Sequence, residues 1–382
     1  MTRLAPPEEN LETSEKIRNF GQAIDDLIGS AERKRKKKKK PAAPQPEPQP
    51  AERIDSWKQI LSRSKTGKAM LDEALARGIE IKTDGTIQPL GYYSPSEKII
   101  VVNPKRTDGE IIATLAHELR HAWQDNRGFF PSPAMSPRDL VLMLHAMEAD
   151  AETGGVKVSH ELKQAGYPDA LNGHLGTGYG DISAKYVEMV EKNPASADDG
   201  TATRAAYDQW FEKSWRRNGY AQQAISIIVN NIKIFATVLL TTGFTALTGD
   251  YLEGMGAQPD GSNYLKATKD KGEPIVGDHY RKGLAPQLEE MLVAIDDALA
   301  SLLKPRKPDA DPKDNPKDPA DPEIPGAPTA PTDPALNRLI RRFTPRDGTP
   351  RTPCSTGLFI PPPATADRYR EQRRGYQPTL TP

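Results

Sequence analysis

Thr107-Asp108-Gly109-Glu110-Ile111-Ile112-Ala113-Thr114-Leu115-Ala116-His117-Glu118-Leu119-Arg120-His121-Ala122 decides how this chain is read. Thr107 stands three residues before Glu110, a capping box that starts a helix just after it. Ile111, Ile112, Leu115, Leu119 and Ala122 recur at helical spacing and give a buried stripe. Asn126 and Gly128 supply the stop, so the expected helix covers residues 108–125. On it, H-E-x-x-H puts His117 and His121 on one face, about 6 Å apart along the axis. Two imidazoles at that spacing can grip one Zn²⁺, and Glu118 leans toward the metal's open position. Two surface histidines on an amphipathic helix are the bland alternative. With only six His in the chain, chance is a poor source of this spacing.

Two histidines and a water leave a zinc site one protein ligand short. The best candidate is Glu148, in Glu148-Ala149-Asp150-Ala151-Glu152. Ser136-Pro137-Arg138-Asp139 reads as an N-cap, a proline in the first turn and a first-turn acid, opening a second helix over residues 137–165 that ends at Gly166. Glu148 and Glu152 then lie one turn apart on one face. The first can bind the metal, and the second can hold a ligating histidine through its free ring nitrogen. Ala146, Ala149 and Ala151 let this helix approach the first closely. His145, three residues before Glu148, competes as third ligand. The paired Glu152 and the alanines favour the Glu148 face, and Asp150, His160 and His174 rank lower. A solvated acidic helix face is the competing reading.

H-E-x-x-H followed by E-x-x-A-E on the next helix resembles the gluzincin-type zinc metallopeptidases, and is similar to an uncharacterised bacterial metallopeptidase group. The resemblance covers residues 107–152. It implies a zincin-like fold, His117, His121 and Glu148 as metal ligands, Glu118 as general base, and Glu152 as a carboxylate supporting a ligand. Many of the resembled proteins carry Asp where this chain has Glu152. The motif also occurs in deformylase-like sites, which need a cysteine ligand near the metal. The single cysteine here, Cys354, lies far from it and excludes both that site and an internal disulfide.

Upstream, residues 91–103 read as a hairpin turning at Ser94-Pro95-Ser96-Glu97, and residues 82–87 as a turn between extended pieces. A strand edge beside the metal helix suits an extended peptide, whose backbone it can pair with. Downstream, Tyr207, Trp210, Phe211 and Trp215 share a helical spacing that reads as core. Residues 221–249 read as a buried helix too short in uncharged sequence to span a membrane. A last helix is expected over residues 285–303.

The fold expected is therefore α+β: a mainly helical zincin-like core with a small antiparallel sheet, over residues 53–303. Residues 1–52 read as one amphipathic helix (12–30), an unbroken basic run (33–40) and a Pro-rich linker. Residues 304–382 read as a Pro-rich linker and a tail carrying nine Arg against three acids. The basic run can meet nucleic acid or an anionic surface, but a solvated linker accounts for it better. The Arg-rich C-terminal end resembles the signals of substrates of conjugation-type secretion systems, and a solvated tail is again the plainer reading. With 52 Lys+Arg against 52 Asp+Glu the whole chain has no electrostatic bias toward one partner. Without a signal-peptide pattern the expected compartment is the cytoplasm. The function expected is zinc-dependent hydrolysis of a peptide or protein substrate. The alternatives are a non-catalytic metal-binding scaffold and a secreted effector with a peptidase core.

Overall fold

The computed structural model describes residues 50–271 and 274–303. The expectations for the 12–30 helix, the basic run, the Pro-rich linkers and the Arg-rich tail lie outside the described residues.

The chain enters through α1 (Pro50–Leu61) and α2 (Lys65–Ala76), then forms β1 (Glu80–Thr83), β2 (Gly91–Ser94) and β3 (Ile99–Val102). The helix carrying H-E-x-x-H is α3 (Asp108–Asn126). Its capping box is complete: Thr107 Oγ1 accepts from the Glu110 amide, and the Glu110 carboxylate accepts from the Thr107 amide at 3.0 Å. It stops where Gly128 turns left-handed at φ +77, with Phe129 N–H donating to the Gln124 carbonyl and Gly128 N–H to that of Asp125. That pair of bonds is a Schellman stop, and the glycine makes it accessible. α4 (Pro137–Gln164) is built alike, with Ser136 capping Asp139 and Gly166 at φ +84 ending it.

The sheet differs from expectation. β2 and β3 do form the antiparallel hairpin, but β1 joins the far edge of β3 in parallel, giving the mixed order β1-β3-β2. The loop over residues 84–90 carries the chain past β3, so β1 and β3 run the same way and the hairpin strand β2 is left at an edge.

Close approach organises what surrounds α3. Gly91 of β2 lies against Thr114, where a Cβ would come within 2.8 Å of the threonine methyl. Gly154 and Gly155 of α4 face the Arg120 stem and the His117 backbone. α5 (Asp169–Leu175) crosses the start of α3 through two opposed glycines: a Cβ on Gly109 would stand 2.2 Å from the Asp169 carbonyl, and one on Gly173 2.6 Å from the Glu110 amide. One core, containing Trp57, Leu61, Ile100, Val102, Ile111 and Leu119, fills the space between α1, α2, the sheet and α3. α4 forms its far wall through Val158 and Leu162, and its N-terminal half is buried in a second core.

That second core gathers α6 (Gly180–Lys192), α7 (Thr201–Phe211), α8 (Ser214–Asn230), α9 (Ile232–Thr241), the short α10 (Gly249–Met255), α11 (Tyr264–Ala267) and α12 (Asp278–Arg281), and α13 (Pro286–Ser301). Tyr207, Trp210 and Phe211 are buried there. Trp215 is not: α7 ends at Phe211, the periodicity restarts in α8, and its ring is half-exposed against Tyr179. The expected single helix over residues 221–249 is also divided. It breaks at Asn231, whose side chain bonds back to the Ile227 carbonyl, and the two halves bend by 74°. Among the described residues no single helix is long and apolar enough to cross a membrane, although that bent pair passes the same length and composition test together.

The α3–α5 crossing yields a test. Gly→Ala inside a helix ordinarily stabilises by about 1 kcal/mol. At Gly173 the new methyl meets backbone, so Gly173→Ala should destabilise by about 1–3 kcal/mol in urea unfolding. A neutral or stabilising result would contradict the packing described.

Candidate metal centre

His117 and His121, on successive turns of α3, turn their rings together with Nε2 atoms 3.0 Å apart. Glu148 reaches them from α4: one carboxylate oxygen lies 3.7 Å from His117 Nε2 and the other 3.6 Å from His121 Nε2. All three offer ligand atoms within 4.8 Å of one another. A tetrahedral zinc with bonds of about 2.0–2.1 Å separates its ligand atoms by about 3.3 Å, inside the spread observed.

The donor chemistry asks for a cation. Glu148 is fully buried, and neither carboxylate oxygen has a hydrogen-bond donor. A buried carboxyl without a hydrogen-bond donor is costly, and a metal removes that cost. His121 feels the same demand: burial lowers its pKa, but the Glu148 carboxylate outweighs burial and lifts it to about 9. The residues therefore fit a metal ion held by two imidazoles and a carboxylate.

Glu118 stands beside this cluster on the cleft wall, and one of its oxygens is without a partner. Burial holds its carboxyl above the ordinary range; Glu148 and Glu152 add to the rise, and the two histidines oppose it. Glu152, one turn beyond Glu148, lies 3.5 Å from His117 Nδ1 and 2.9 Å from His174 Nε2. Burial raises the Glu152 pKa, but His117 and His174 outweigh it and hold the group ionised below its usual value. His174 is itself fixed, its Nδ1 2.8 Å from the Ser183 hydroxyl.

The cleft is a cavity of ≈ 200 Å³ over His117, Glu118 and Glu152, bordered by Leu90, Gly91, Tyr179 and Tyr220. Both tyrosine hydroxyls, 3.4 Å apart, are held protonated well above their ordinary range, chiefly by burial. A wider cavity of ≈ 450 Å³ among Gly85, Asn103, Lys105 and Arg106 contains none of these groups.

The structure thus brings His117, Glu118, His121, Glu148 and Glu152 to one place. His145 points elsewhere, with Nε2 2.9 Å from the Arg217 carbonyl and its ring against Trp210. Arg120 is fully buried and bound to Asp150, and does not border the cleft. Three residues that spacing ranked low or passed over stand in or behind the cleft: His174, Tyr220 and Gln124, which contacts His121. Gln124 was within reach of sequence reading, being three residues beyond His121 on one helix. The other two are delivered by α5 and α8, whose paths no local pattern gives.

Comparison with known families matches residues 32–265 to one described as "Putative metallopeptidase family (DUF6782)". No curated protein and no solved structure matches the chain.

Two expectations follow. Glu148→Ala should lose most bound metal, measured by elemental analysis after dialysis, while His145→Ala keeps it; the reverse order would move the site by a helical turn. His145 also carries a pH signature, because burial lowers its pKa from 6.5 to about 4. Below pH 6.5 the unfolded chain takes the proton and the folded one does not, so stability falls as pH falls to about 4. With chelator present in both samples, wild type should lose about 3 kcal/mol more than His145→Gln between pH 7 and pH 4. Parallel pH profiles for the two proteins would refute this.

Proposed function

Taking as premise that the chain belongs to the DUF6782 metallopeptidase family, we propose that it is a zinc-dependent peptide-bond hydrolase of gluzincin type. Zinc is the metal, held by His117, His121 and Glu148, and Glu118 is the general base. The observation that carries this reading is a buried Glu118 carboxylate with a partnerless oxygen, beside the three-group cluster and on the cleft wall. When bound, zinc supplies Lewis-acid polarisation and an acidified water.

The chain's own groups do the rest. Glu118 takes a proton from the attacking water and passes it to the leaving amine; its raised pKa brings it closer to the range in which both transfers are efficient. Tyr179 and Tyr220 keep their hydroxyl protons and border the cleft, which suits them to donate to the oxygen that gains charge. Glu152 lies 3.5 Å from His117 Nδ1, placed to support that ring, and His174 bonds Glu152. β2 is an edge strand, and Leu90 and Gly91 border the cleft, so an extended polypeptide can pair with that edge over Glu118. Protein or peptide is the substrate class, and a reducing cytoplasm suits a chain with one cysteine.

Glu118→Gln separates chemistry from metal binding. It should leave the fold and zinc content unchanged and lower cleavage of a susceptible polypeptide by about 10²- to 10⁴-fold. Equal cleavage by wild type and Glu118→Gln would overturn the role of Glu118.

A further inference from the structure

His121 is supported by a neutral side chain that is itself braced by a buried ion pair. Its Nδ1 lies 2.9 Å from Gln124 Oε1, and Gln124 is fully buried. The Gln124 amide nitrogen donates to the Met147 carbonyl at 2.8 Å and to Asp150 Oδ2 at 2.8 Å. A carbonyl oxygen only accepts, so the nitrogen has to face Met147 and the oxygen has to face His121. His121 Nδ1 is then the donor of that pair, and Nε2 is the atom turned toward His117 and Glu148.

Asp150 is as tightly determined. It accepts from Arg120 Nε at 2.8 Å and Nη2 at 2.9 Å, and from the Tyr264 hydroxyl at 3.0 Å. Arg120 Nη2 also donates to the Met255 carbonyl at 2.8 Å. A two-oxygen acceptor held from three sides leaves the glutamine amide one orientation.

We infer that Gln124, locked by Asp150, is a positioning residue that keeps Nδ1 of His121 protonated and frees Nε2 for the metal, and that Arg120 and Tyr264 keep Asp150 in that role. The inference rests on the metal assignment above. It sets His121, bonded by an amide, apart from His117, whose Nδ1 has the Glu152 carboxylate nearby at 3.5 Å.

The test uses the full chain and zinc alone. Zinc affinity by chelator competition is compared for wild type, Gln124→Met, which keeps side-chain length without donor or acceptor, and Tyr264→Phe. Histidine-selective ¹⁵N NMR of the zinc-loaded wild type reads the ring directly. Gln124→Met should bind zinc roughly 10- to 100-fold more weakly, with Tyr264→Phe shifted the same way by less. The NMR should show His121 coordinated through Nε2 with an exchange-protected proton on Nδ1, and Gln124→Met should lose that protection. A folded Gln124→Met with wild-type affinity and an unchanged ring signal would overturn the inference while leaving the metal site standing. So would wild-type coordination through Nδ1, a result that needs no variant to fold. Wild type that binds no zinc would refute the metal assignment itself and this inference with it.

Discussion

The contact between α3 and α4 is the constraint on which the site depends. Glu148 reaches His117 and His121 because α4 runs close to α3 where it presents Gly154 against the Arg120 stem and Gly155 against the His117 backbone. At Gly154 a Cβ would stand 3.0 Å from the Arg120 Cγ, closer than ordinary contact, and at Gly155 one would just touch the His117 amide at 3.5 Å. The same contact encloses Arg120 and Asp150. An ion pair removed from water is worthwhile only when its remaining hydrogen-bonding capacity is also met. Asp150 meets its share of that requirement with Arg120, Gln124 and Tyr264, while Arg120 Nη1 has no partner among the described residues, and the pair ties the metal helix to α4 and α11.

Around that contact the two cores have different tasks. The first fixes α3 against the sheet and leaves β2 at an edge beside the cleft. The second brings in groups from distant sequence: His174 on α5, Tyr179 at the start of α6 and Tyr220 on α8. Arg216 helps to seat the tyrosine wall. It lies fully buried, paired with Asp181 and bonded to the Gly178 carbonyl at 3.0 Å, with its guanidinium 5.0 Å from the Tyr179 ring centre.

Local chemistry explains which features were legible in the sequence. Thr107, Ser136, Gly128 and Gly166 mark helix ends through hydrogen bonds made within a few residues, so both metal-bearing helices could be bounded by inspection. The 91–103 hairpin was equally local, and its strands pair as expected. The parallel pairing of β1 with β3 was not, because register between strands joined by a long excursion is set by tertiary packing and not by any local signal. Trp215 misled because three preceding aromatics share its spacing, while the chain restarts its helix at Ser214 and turns that ring outward. His117, His121 and Glu148 could be nominated from spacing and helix logic, and the structure brings their ligand atoms together. Tyr220 could not be, and His174 was only a low-ranked candidate, since each is an ordinary residue until the tertiary fold carries it to the cleft.

The central claim is that one metal ion sits between α3 and α4, and anomalous X-ray scattering at the zinc edge from crystals of the zinc-loaded protein tests it most directly. The account predicts a single strong peak bonded by His117 Nε2, His121 Nε2 and a Glu148 carboxylate oxygen, each at about 2.0–2.2 Å. A peak bonded elsewhere, or a refined site in which Glu148 makes no bond to the metal, would contradict it.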